Sequence, residues 1–158
     1  MARTTGRITI EVEVKADDVL GLLEDVKDRA GDMRPVFRWA KGQLELANAA
    51  NFMTNGLPSG KPWAPLDKEY GAWKSAHFAG AGTMVRSGNL FRSLTSLTDS
   101  TANTITKTSA TFGTSVEYAK FHQYGTTKMP ARKIVFTPRE FPRDLGVEIA
   151  KYLVLGEG

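Results

Sequence analysis

The chain holds two histidines, His77 and His122, and no cysteine, so its means for proton transfer and metal ligation are few. His122 lies in YAKFHQYGTTKMPAR (118–132), which packs three aromatics, a histidine and three basic groups into fifteen residues. As the base of a hydrolase it would take a proton from a nearby hydroxyl and be oriented by an acid. Serines and threonines are plentiful, but no Gly-x-Ser-x-Gly elbow occurs, and Gln123 rather than an acid follows His122. Neither histidine belongs to a His-Glu-x-x-His or other clustered pattern, which argues against a zinc or iron site. LPSGKPW (57–63) contains Gly-Lys, but Pro62 stands where a phosphate-binding loop needs Ser or Thr, and the upstream glycine spacing fails. The paired carboxylates Asp17-Asp18 and Glu24-Asp25 read as the solvated side of an amphipathic helix. The expectation is no enzyme, no metal and no cofactor. His122 is then a hydrogen-bonding packing residue.

Charge suggests another kind of contact. The net charge is +4, unevenly spread: residues 1–60 hold 8 Lys/Arg against 9 Asp/Glu, residues 61–143 hold 12 against 5, and residues 144–158 hold 1 against 3. A basic middle can meet phosphates; it can equally meet an acidic protein surface. Trp63, Tyr70, Trp73, Phe91, Phe121 and Tyr124 lie among the cations, an alternation that can form a single-strand surface. No helix-turn-helix, zinc-finger, RNP or KH pattern accompanies them. This leaves a non-specific DNA-binding module as one reading of the 61–143 surface, with Lys61, Arg86, Arg92, Lys128 and Lys133 as the DNA-facing candidates.

These residues need elements to position them. RITIEVEV (7–14) alternates β-branched and polar residues and predicts a half-buried strand. Asp17 or Asp18 caps a helix with Val19, Leu20, Leu22, Leu23 and Val26 at helical spacing, ended by Gly31. A second helix starts near Pro35 and runs to about Phe52; its alanine-rich far half suits close packing on another helix. TNGLPSGKPWAP (54–65), with two glycines and three prolines, is a loop. Trp63 within it is either an exposed anchor or a plug at the core edge, and the flanking prolines favour the plug. A short helix near Asp67–Phe78, an AGAGT link and a helix capped by Ser87 follow. The threonine-rich stretch 95–114 predicts a hairpin with DSTAN (99–103) as its turn and TITKTSATFG (104–113) as the return strand. Tyr118–Tyr124 is a short helix ended by Gly125, with Tyr118, Phe121 and His122 turned inward. KIVFT (133–137) is a strand, and a final helix runs from about Pro138 to Leu155.

The fold class expected is α+β: a single domain, 1–158, with a small mainly antiparallel sheet packed against two or three longer helices, and long loops. A chain of 158 residues suits one domain. No apolar run approaches the roughly 20 residues that span a bilayer. MARTTGRITIEVEV lacks the apolar stretch of a secretion signal, and the absence of cysteine suits a reducing cytosol.

Taken in order, Phe52, GKPWAPL (60–66), RSGNLFRSL (86–94), TFGTSVEYAKFHQYGT (111–126) and MPAR (129–132) form a series. It resembles the phage virion morphogenesis family, the tail completion proteins of Mu-like and related tailed phages. That family's pattern runs W-x-P-L, S-G-x-L-x-x-S, G-[ST]-x-x-x-Y-A-x-x-H-Q-x-G and [IM]-P-A-R. The blocks cover about residues 50–136. Two departures stand out: KIVFTP follows MPAR where the family has a PFLG-like segment, and the AGAGT stretch (79–83) is an added loop.

The resemblance implies a structural protein of the phage neck, in the virion once assembled and in the host cytoplasm before that. It implies a homo-oligomeric ring, six subunits by family analogy, that connects tail to head and lets DNA pass. The implied partners are other copies of the chain, a tail terminator or tail tube protein, a head completion or connector protein, and transiently the genomic DNA; no membrane is involved. The motif positions Trp63, Leu66, Gly88, Leu90, Tyr118, His122, Gln123, Gly125, Pro130 and Arg132 become the structural and interface candidates.

Overall fold

The computed structural model describes residues 16–157; the strand expected at 7–14 lies outside them. Among the described residues the architecture is α+β and mostly helical, with helices α1 (Ala16–Ala30), α2 (Arg34–Met53), α3 (Lys68–His77), α4 (Asn89–Thr95), α5 (Ala119–Tyr124) and α6 (Phe141–Leu155). A two-stranded antiparallel hairpin, β1 (Thr104–Ile105) and β2 (Ala110–Thr111), completes it.

Local chemistry explains most of the boundaries. α1 stops where the Gly31 N–H reaches back to the carbonyls of Lys27 and Asp28, both at 3.1 Å. Pro35 lies in the first turn of α2, where its missing N–H has no partner to lose. The Asp67 carboxylate accepts from the N–H groups of Glu69 and Tyr70 at 3.0 and 3.2 Å and so starts α3. Gly156, left-handed at φ 74°, ends α6.

α2 is the central element. It packs against α4 and α6, and α6 in turn carries α1. The core gathers Phe52, Trp63, Leu90, Leu94, Ala119 and Ile134. Phe52 meets the edges of Trp63 at 5.3 Å and Phe91 at 5.4 Å between ring centres. Buried amides tie α4 and a later segment to α2: Asn48 donates to the Leu94 carbonyl at 2.9 Å and Asn51 to that of Lys133 at 3.0 Å. Trp63, 7% exposed, plugs this core and donates its indole N–H to the same Lys133 carbonyl at 2.9 Å.

Several sequence expectations need correction. The hairpin turn is Thr106–Ser109, inside the predicted return strand, because the Thr106 hydroxyl accepts from the N–H groups of Thr108 and Ser109. DSTAN is a separate turn closed by the Asp99 carboxylate on Thr101. KIVFT is irregular, with a bend at Val135, Ile134 and Phe136 buried and Val135 exposed, and it pairs with no strand among the described residues. The Gln123 amide holds this backbone: its oxygen accepts from the N–H groups of Ile134 and Val135 and its nitrogen donates to the Val135 carbonyl, all at 2.9 Å. Gly88 rather than Ser87 precedes α4, left-handed at φ 77°. α6 begins at Phe141, three residues after Pro138. Only Ala119 is buried on α5, while Tyr118 and Phe121 are 42% and 47% exposed.

Candidate functional site

The segments holding WAPL, SGNL, YAKFHQ and MPAR are far apart in sequence and meet around one cavity of about 940 Å³. Pro65 and Leu66 come from the first, Gly88 and Leu90 from the second, Tyr118 and His122 from the third, Met129, Pro130 and Arg132 from the fourth. Tyr70 and Lys74 of α3, with Thr83 and Met84, close another side.

Backbone geometry brings the last two segments together. Gly125, at φ 76°, turns the chain out of α5, and a Cβ there would stand 2.8 Å from the Ala131 nitrogen. Thr126 and Met129 then bridge, so the chain reverses and the Arg132 N–H donates to the His122 carbonyl at 2.6 Å.

Arg132 is 4% exposed. Its Nε and Nη2 donate to the carbonyls of Ala64 and Pro65, each at 2.9 Å, which fixes the WAPL loop on the MPAR segment. Lys74, also 4% exposed, donates Nζ to the Gly82 and Thr83 carbonyls, the latter at 2.9 Å. Burial lowers the pKa of both cations, and for Lys74 the Arg132 charge adds to it. Burial first, and then Arg132, likewise holds the His122 imidazole below its ordinary value. Its ring stands edge-on to Tyr118 at 6.0 Å. Its Nδ1 is buried without a hydrogen-bond partner, so the hydrogen-bonding role expected of this side chain is not what the structure shows at that atom.

No ion pair within the described residues balances this charge. Among the described residues the ion pairs are Arg29–Asp25, Arg34–Asp32, Lys41–Glu45 and Arg143–Asp144, and none includes a cavity residue. Arg86 and Lys128 add two exposed cations to the lining. Asp67 is also in the lining, with Oδ1 committed to the α3 N-terminus. Among the described residues no cluster of His, Cys, Asp or Glu is arranged to hold a metal ion.

The other sequence candidates lie elsewhere. Trp63, Gln123 and Gly125 do not line the cavity; they hold the segments that do. Lys61, Arg92 and Lys133 are exposed away from it. Lys74, which sequence reasoning counted among the surface bases, is a buried wall residue. Its partners are backbone carbonyls of the glycine-containing loop, which carry no side-chain signature.

A model of the phage virion morphogenesis family matches residues 14–148. The match takes in α1 and most of α2, which the motif blocks did not reach. Neither a curated protein nor a solved structure matches the chain. The geometry and the family match cover the same segments: the chain belongs to the phage virion morphogenesis family and has a structural or assembly role in building the phage particle.

Proposed function

We propose that this protein is a tail completion protein that joins tail to head in the phage neck. It closes into a homo-oligomeric ring, six subunits by family analogy, through which DNA passes. The observation that carries this reading is the convergence of the four family segments on a cavity whose cations, Lys74, Arg86, Lys128 and Arg132, outnumber its one carboxylate, Asp67, and form no ion pair among the described residues. Such a wall suits a partner's surface. A tail terminator or tail tube protein on one side and a head completion or connector protein on the other are the partners that the role requires. Cryo-electron microscopy of virions with this chain labelled tests it. Density confined to the neck is expected; label absent from virions and from assembly intermediates would rule the role out.

A second reading rests on Lys61, Arg92 and Lys133, exposed cations with no ion-pair partner among the described residues. They suit non-specific DNA contact, in a ring lumen or alone. Binding to a duplex oligonucleotide should then fall steeply with added salt. No measurable affinity at low salt removes this reading.

A further inference from the structure

α1 leaves four large apolar side chains in water: Val19, Leu20, Leu22 and Leu23 are 42, 59, 50 and 58% exposed. A helix of a self-sufficient domain turns its apolar stripe inward. Here the stripe is wider than its cover: α1 packs on α6, the Arg29 guanidinium donates to the Leu153 carbonyl at 2.8 Å, and of the apolar stripe only Val26 is half-buried. Leu20 and Leu23 are three residues apart on the outward face, with Asp17 and Glu24 three and four residues from Leu20 and Asp28 one turn further. Lys27 shares that face; the carboxylates outnumber it.

The cavity has the opposite character. Leu66, Met84, Tyr118 and Phe121 give it an apolar wall, and Lys74, Arg86, Lys128 and Arg132 give it charge. Burying Lys74 and Arg132 with no ion pair among the described residues is costly, and Asp67 is the one carboxylate in the lining. A neighbour's carboxylate at the mouth would relieve that cost. No residue of α1 lines the cavity, so the two surfaces are separate, as a head-to-tail contact that closes a ring demands.

We propose that the outward face of α1 in one copy of this chain seats in this cavity of the next. Leu20 and Leu23 meet the apolar wall, and Asp17, Glu24 and Asp28 face the cations. This rests on the ring reading above and names its two surfaces.

Two variants test it, each altered at exposed positions. One carries Leu20→Ser, Leu23→Ser and Glu24→Gln; the other carries Arg86→Glu and Lys128→Glu. Light scattering should show each alone assembling only at concentrations roughly tenfold or more above wild type. An equal mixture should give dimers and no rings, because one intact α1 can still meet one intact cavity. Circular dichroism and melting check that both variants fold. Since the chain has no cysteine, a second measurement avoids disruptive changes: Leu23→Cys mixed with Lys128→Cys should form a disulfide-linked dimer on oxidation, well above a control pair of Leu23→Cys with Lys151→Cys. Rings from either variant at wild-type concentration, or cross-linking no better than the control, would overturn the pairing and leave the ring itself standing. A wild-type chain that stays monomeric would instead remove the ring reading, and this inference with it.

Discussion

The Arg132 N–H donates to the His122 carbonyl at 2.6 Å, so the MPAR segment is fastened to α5 by backbone while both side chains point to one cavity. The guanidinium is occupied with the Ala64 and Pro65 carbonyls, and the imidazole is pressed towards its neutral form by burial and then by Arg132.

The His122 shift has a pH consequence. Its folded pKa lies below the ordinary 6.5, so between those values the unfolded chain binds the extra proton. Stability attributable to this group is full above about 6.5 and is lost as pH falls through the folded pKa. His122→Phe should flatten the decline of urea midpoints below pH 6.5 relative to wild type. Parallel curves for the two proteins would contradict this.

Arg132→Lys should destabilise the fold by about 1–3 kcal/mol, because one ammonium cannot reproduce the fork that holds two carbonyls. Urea unfolding measures it. An unchanged midpoint would mean that the WAPL loop is held by other contacts.

Gln123 clamps the Ile134 and Val135 backbone, and its replacement separates acceptor from donor. Gln123→Leu leaves the Ile134 and Val135 N–H groups without their acceptor and should cost about 2–3 kcal/mol. Gln123→Glu keeps an acceptor oxygen and loses only the bond to the Val135 carbonyl, so it should cost less. Thermal melts of the pair give the order, and the reverse order would be inconsistent with the clamp.

Gly56 and Trp63 fit each other closely. At φ 94°, a Cβ on residue 56 would stand 2.4 Å from the Trp63 ring. Gly56→Ala should cost roughly 1–3 kcal/mol from overpacking and backbone strain, and Trp63→Ala roughly 3–5 kcal/mol. The double variant should lose less than the sum, since removing the indole removes the clash. Strict additivity would place the Gly56 effect elsewhere.

How much of this was legible in the sequence varied with the source of each signal. α1, α2, α3 and α6 declare themselves through apolar spacing and through Gly31, Pro35, Asp67 and Gly156, all local chemistry. The hairpin register was missed because Asp99 and Thr106 both offer turn-forming oxygens, and threonine richness alone does not choose between them. KIVFT reads as a strand because its side chains alternate correctly; its partner is the Gln123 side chain, which strand patterning does not reveal. The motif order marked most of the residues around the cavity. It gave no sign that Lys74 and Arg132 are buried, since both are held by backbone carbonyls, or that the α1 leucines face water, since that depends on how little of α1 is covered by α6.

The central claim is assembly into a closed ring, and electron microscopy of the purified full chain, with light scattering for mass, tests it most directly. The account predicts ring-shaped particles of a single subunit number, six by family analogy, in balance with monomer. Monomer alone at every concentration, or open filaments of no fixed length, would contradict it.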